Sequence, residues 1–93
     1  MSQTQKKILF IDDPKVIKVL EKTFTKEILN SFKNSSLTAA EIAIAISFPK
    51  DKIYYHIKKL LSLQLLYVSK IVKIKGVEQK KFLPVAKKFK IIE

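Results

Sequence analysis

Between Lys50 and Leu63 the reactive side chains separate onto one side of a helical wheel. With Ile53, Ile57 and Leu60 turned inward at i, i+4 and i+7, the outward side carries Asp51, Lys52, Tyr55, Lys58, Lys59 and Ser62. Ammonium groups at Lys58 and Lys59 suit phosphates, the Tyr55 phenol suits a base edge or a thymine methyl, and Lys52 can reach a guanine. A phosphate would repel Asp51, which is better suited to capping its own helix. Lys50, Tyr54 and His56 border this surface and complete the candidate contact set of the segment.

A second cluster lies downstream. Lys70, Lys73, Lys75, Lys80 and Lys81 flank Gly76, the one glycine of the chain. Gly76 separates two β-like runs, Leu65–Ile74 and Val77–Leu83, so a hairpin is expected. In a hairpin crossing a nucleic-acid backbone, several of these lysines would release counterions. The competing reading is that the charges simply keep edge strands from pairing with other chains.

The charge balance points the same way. The 93 residues carry a formal charge of +11, with lysine supplying all 19 cations. Residues 1–46 hold seven lysines against five acids, whereas residues 47–93 hold twelve against three. A uniformly Lys-rich composition accounts for the total but not for its concentration in one half, which suits a polyanionic partner.

The elements that must position these groups are legible in outline. Ile8–Ile11 reads as a short extended segment docked on the core. Asp13 and Pro14 form a helix start, with Asp13 as N-cap. Val16, Ile17, Val19 and Leu20 come next at helical spacing. Around Thr23-Phe24-Thr25 the pattern predicts either a weak point in one long helix or a fresh start capped by Thr25, the second part carrying Ile28, Leu29 and Phe32. Thr38-Ala39-Ala40-Glu41 is a capping box that launches a short helix, and Ser47-Phe48-Pro49 ends it. Residues 85–93 fit either a helix or a strand. The whole reads as one domain over residues 1–93, mainly α with a small β-hairpin: a winged helix-turn-helix with three to four helices and a two-stranded antiparallel wing. The helix-turn-helix falls at about 38–63, the second helix at 51–63 and the wing at about 65–83.

Several function classes find no footing. With no cysteine, disulfides and thiolate metal sites are excluded, and His56, the single histidine, has only Asp51 and Asp12-Asp13 as weak co-ligands. Neither a metal nor another cofactor is expected. The eight acids are scattered, and no Gly-rich phosphate loop or nucleophile–base spacing suggests an enzyme. No small-molecule ligand is evident. The apolar runs are too short to cross a bilayer, and the polar start Met1–Gln5 lacks a signal peptide's apolar stretch, which leads to an expectation of a cytoplasmic protein.

The stretch Leu37–Leu66, LTAAEIAIAISFPKDKIYYHIKKLLSLQLL, resembles the helix-turn-helix core of ArsR-like winged-helix transcriptional regulators. Their second helix typically reads Val-Tyr-Tyr-His-Leu-Lys-Lys-Leu; here it is Ile53-Tyr54-Tyr55-His56-Ile57-Lys58-Lys59-Leu60, without a gap. Gly76–Phe82 is similar to the family's second wing strand, and Val85–Phe89 to the segment beyond that strand. The likeness spans about residues 10–90. It implies a regulator of transcription, usually a homodimer, bound to double-stranded DNA at a roughly palindromic operator. The chain departs from the family at Ser47 and Gln64, where glycine is usual and a left-handed backbone is expected to need local adjustment. Ile44 and Leu61 stand where the family tends to show Glu, which makes them candidates for a dimer or partner face; packing under Ile8–Ile11 or the tail explains them equally well. The competing function is a module of the same fold that binds protein or RNA, since lysine in place of every arginine serves the bidentate guanine contact poorly.

Overall fold

Ile28, Ile42, Ile53, Ile57, Leu65 and Phe82 are the largest fully enclosed side chains in the computed structural model, which describes residues 5–92. They come from helices, a hairpin strand and the turn between, so the core lies where the helices meet the hairpin. The elements run β1 (Lys6–Ile11), α1 (Pro14–Leu20), α2 (Thr23–Ser31), α3 (Ala39–Ala45), α4 (Lys50–Ser62), β2 (Leu66–Ile74), β3 (Val77–Pro84) and β4 (Ala86–Ile91). The expected polar start over Met1–Thr4 lies outside the described residues, as does Glu93.

Local chemistry explains most boundaries. Asp13 caps α1 as expected, its carboxylate accepting from the Lys15 amide at 2.9 Å, with Pro14 in the first turn. The break after α1 comes at Glu21-Lys22, not at Thr25. Lys22 occupies the N-cap of α2 without a side-chain bond, and Thr25 is buried inside the helix. The capping box of α3 is complete: the Glu41 amide donates to the Thr38 hydroxyl and the Thr38 amide donates to the Glu41 carboxylate. Asp51 does not cap α4. Pro49 sits at the N-cap, its carbonyl accepting from the amides of Lys52 and Ile53, and Asp51 lies in the first turn, where the helix dipole favours its charge.

Both helices of the central pair end in the same way. At the end of α3 the Ser47 amide donates to the Ile44 carbonyl and the Phe48 amide to the Ala43 carbonyl; at the end of α4 Gln64 and Leu65 repeat this toward Leu61 and Leu60. These are Schellman motifs, which require a left-handed residue, and Ser47 (φ 55°) and Gln64 (φ 61°) supply it without being glycine. Gln64→Gly is therefore expected to raise stability by about 0.5–1 kcal/mol, read as a higher urea midpoint at unchanged slope.

The hairpin forms as the sequence predicts. Lys75 (φ 50°) and Gly76 (φ 80°) both adopt positive φ, the type I′ geometry whose twist matches the flanking strands. β2 and β3 pair antiparallel from Leu66↔Pro84 to Ile74↔Val77, with a bulge between Val68 and Lys70. Leu37 exchanges two backbone bonds with Phe82, fastening the entry to α3 onto β3.

The expectation of a mainly α chain with a hairpin wing is overturned. Among the described residues there are four helices and four strands in two sheets, and the second sheet is a parallel pair, β1 with β4, in register from Lys6↔Ala86 to Ile11↔Ile91. The fold is mixed α and β. The tail that fitted either helix or strand is a strand, and the segment expected merely to lie extended is its partner. Parallel pairing of segments so far apart in sequence has no turn to announce it, unlike a hairpin.

Candidate nucleic-acid interface

Helix α4 is anchored by one face and open on the other. Ile53, Ile57 and Leu60 are buried, as their spacing predicts, while Lys50, Asp51, Lys52, Tyr54, Tyr55, Lys58, Lys59 and Ser62 are exposed. α3 and the turn at Ile46–Pro49 hold α4 from one side, and the chain after α4 enters β2 through the Gln64 turn. The result is a rigid cylinder with a cationic outer face. Tyr55, 69% exposed, stands clear of the surface. Tyr54 is engaged by its neighbour one turn on, the Lys58 ammonium lying 5.9 Å from its ring centroid. The Ser62 hydroxyl donates back to the Lys59 carbonyl at 2.7 Å, so it is already occupied.

His56 takes a different part from the one its neighbours suggest. Its ring packs edge-on against Phe24 of α2 at 4.5 Å and against Phe48 of the turn at 5.6 Å, with Tyr55 at 5.2 Å. Phe24 and Phe48 also touch each other, at 4.6 Å. Burial, then the charges of Lys59 and Lys22, push the imidazole below its ordinary 6.5. At neutral pH it is uncharged and contributes no attraction to phosphate. It acts as an aromatic strut that fixes the angle of α4 against α2 and the turn. Sequence reasoning missed Phe24 and Phe48; the signal was a pair of aromatics at two element junctions, next to helix starts.

Because the unfolded chain takes up this proton more readily, His56 contributes stability that is complete above pH 6.5 and declines as pH falls through the lower folded value. His56→Phe is expected to keep the fold and flatten stability across that window. Thermal unfolding of both forms at a series of pH values from neutral downward checks this.

The hairpin lysines are not equivalent. Lys81 forms an ion pair with Glu41 at 3.6 Å, tying β3 to the capping box at the start of α3. The Thr38 backbone amide first, then Lys81, hold the Glu41 carboxyl below its ordinary range against the opposing effect of burial. Lys73 lies directly across the ladder from Glu78. Lys70, Lys75 and Lys80 are exposed and face no acid across the ladder. Alongside them, Ile71, Ile74 and Val77 are exposed as well, which the residue pattern alone does not announce.

No family model and no curated protein matches this chain. The site is defined by its own geometry: among the described residues, a helix face whose lysines take no ion pair, and a hairpin with three lysines that face no acid across the ladder.

The two residues expected at a partner face part company. Ile44 on α3 is 79% exposed, whereas Leu61 is half-buried against the core and lines a hollow with Leu9, Leu66 and Tyr67. Leu61 is thus partly covered by the chain's own core and shares that hollow with Leu9 of β1. No helix is long and apolar enough to cross a membrane among the described residues.

Proposed function

We propose that this protein binds double-stranded DNA and regulates transcription, with α4 in the major groove and the lysines of the hairpin on the backbone. One observation carries the reading: the solvent face of α4 presents Lys52, Tyr55, Lys58 and Lys59 together, with Asp51 as its one acid and Lys50 exposed at the start of the helix. The major groove of B-DNA admits a helix of this width, whereas that of A-form RNA is too narrow for it. The likeness of residues 53–60 to the second helix of ArsR-like regulators supports the same use. Base reading falls to Tyr55 and Lys52, which suits A/T-rich sites recognised partly by groove shape. The same role makes the cytoplasm, where such regulators meet DNA, its place of action.

The test is a salt titration. Lys58, Lys59, Lys70, Lys75 and Lys80 reaching phosphates would give a slope of log K against log salt near about −4.5, and affinity would drop about five-hundredfold between 50 and 200 mM salt. Fluorescence anisotropy with a mixed-sequence duplex measures it. Absence of binding at low salt, or affinity indifferent to salt, sinks the proposal.

A second reading is favoured by exposed Ile44, Ile71, Ile74 and Val77: a module that docks on a protein. Such a module would lose its partner on Ile44→Glu or Ile71→Glu and keep it when Lys58 and Lys59 are reversed.

A further inference from the structure

The parallel β1–β4 pair is incomplete as a sheet. Parallel strands are ordinarily buried on both faces, yet here Ile8 (42% exposed) and Phe10 (59% exposed) stand on the outer face beside Lys88 and Lys90. β4 is the chief neighbour of β1, and the opposite edge of β1 carries no strand among the described residues. An open strand edge with apolar side chains is a template for another strand.

The sequence of that edge names the strand that fits. Lys6-Lys7-Ile8-Leu9-Phe10-Ile11-Asp12-Asp13 has cations at one end, acids at the other and an apolar centre. Among the described residues, none of these four charged side chains has an ionic partner within the chain. Laid antiparallel on a copy of itself and centred on Leu9, the segment sets Ile8 against the partner's Phe10. Leu9 then meets the partner's Leu9 on the two-fold axis, and Lys6 lies opposite the partner's Asp12. Such a register keeps side chains of like face together, as a two-fold axis normal to the sheet requires. The other free edge cannot do this, because β4 carries Lys87, Lys88 and Lys90 and no acid.

We propose that this protein forms a homodimer by antiparallel pairing of β1 with the β1 of a second copy, giving a four-stranded sheet in the order β4-β1-β1-β4. The proposal is independent of the DNA reading and is tested without DNA. Sedimentation velocity of the full chain across a concentration series should show a monomer–dimer equilibrium. Phe10→Lys, at an exposed position, should give a monomer with unchanged circular dichroism and thermal midpoint. Lys6→Asp and Asp12→Lys should each weaken the dimer roughly tenfold, and the double variant should restore it, because each substitution acts at both symmetric pairs. The chain has no cysteine, so Leu9→Cys gives a single thiol at the axis, which should cross-link rapidly on oxidation. Phe10→Cys is more exposed but about 7–8 Å from its counterpart, and should cross-link slowly. A monomer at every concentration, a dimer that survives Phe10→Lys, or equal cross-linking at the two positions overturns the proposal.

Discussion

Reversing two charges on α4, Lys58→Glu with Lys59→Glu, is expected to weaken duplex binding by at least about a hundredfold at low salt and to flatten the salt slope by about two. Both ammonium groups lie on the exposed face, and neither takes part in an ion pair among the described residues. Lys58 leans over the Tyr54 ring and Lys59 borders the aromatic cluster of His56, so both are held near the groove-facing surface. Their removal costs the fold little, since neither side chain is buried. The matched control is Lys15→Glu with Lys18→Glu on α1, which makes the same change in net charge on another element. It should shift affinity only through the weaker long-range field. Anisotropy titrations of both double variants, with circular dichroism to confirm folding, separate a local contact from a general effect of charge.

Ile57→Ala is expected to cost about 3 kcal/mol of stability, and with it about 12–24 °C in thermal midpoint. Ile57 is fully enclosed beneath the centre of α4, among other members of one continuous core. Removing three of its carbons leaves a cavity that a rigid helix cannot close over. A domain of this size has little stability in reserve, so the variant should be partly unfolded at moderate temperature. Calorimetry or thermal circular dichroism checks the value. A loss under 1 kcal/mol would mean that α4 is not seated on the core by this face, and the outward assignment of Lys52, Tyr55, Lys58 and Lys59 would fall with it.

What could be read in the residues was whatever local chemistry enforces. The capping box at Thr38–Glu41, the Asp13-Pro14 start, the Ile53/Ile57/Leu60 stripe and the Lys75-Gly76 turn each depend on neighbours within a few positions, and each forms. Ser47 and Gln64 were legible as left-handed positions only through the family likeness, which has glycine there; α1 ends at Glu21 without any left-handed residue. The start of α4 was misplaced because Asp51 is a good cap by type, yet Pro49 ahead of it already has the extended ψ an N-cap needs. The parallel β1–β4 pair was invisible for a different reason. It joins Lys6 to Ala86, and nothing within either segment specifies the other. The same distance hid the partner of His56: packing beside the core is readable from its place on the helix, but not the ring of Phe24 on another helix. On the hairpin, Lys81 and Lys73 looked equal to Lys70, Lys75 and Lys80; only the ladder register and the position of α3 show which face acids.

The most direct measurement is a two-dimensional amide NMR titration of the whole protein with a short A/T-rich duplex. Binding through α4 should move the amides of Lys50–Lys59 and of the hairpin around Lys70, Lys75 and Lys80 together, in one saturable process, while α1 and β4 stay in place. Shifts confined to β1 and β4, or a hairpin that moves while α4 does not, would contradict the claim that this helix face meets DNA.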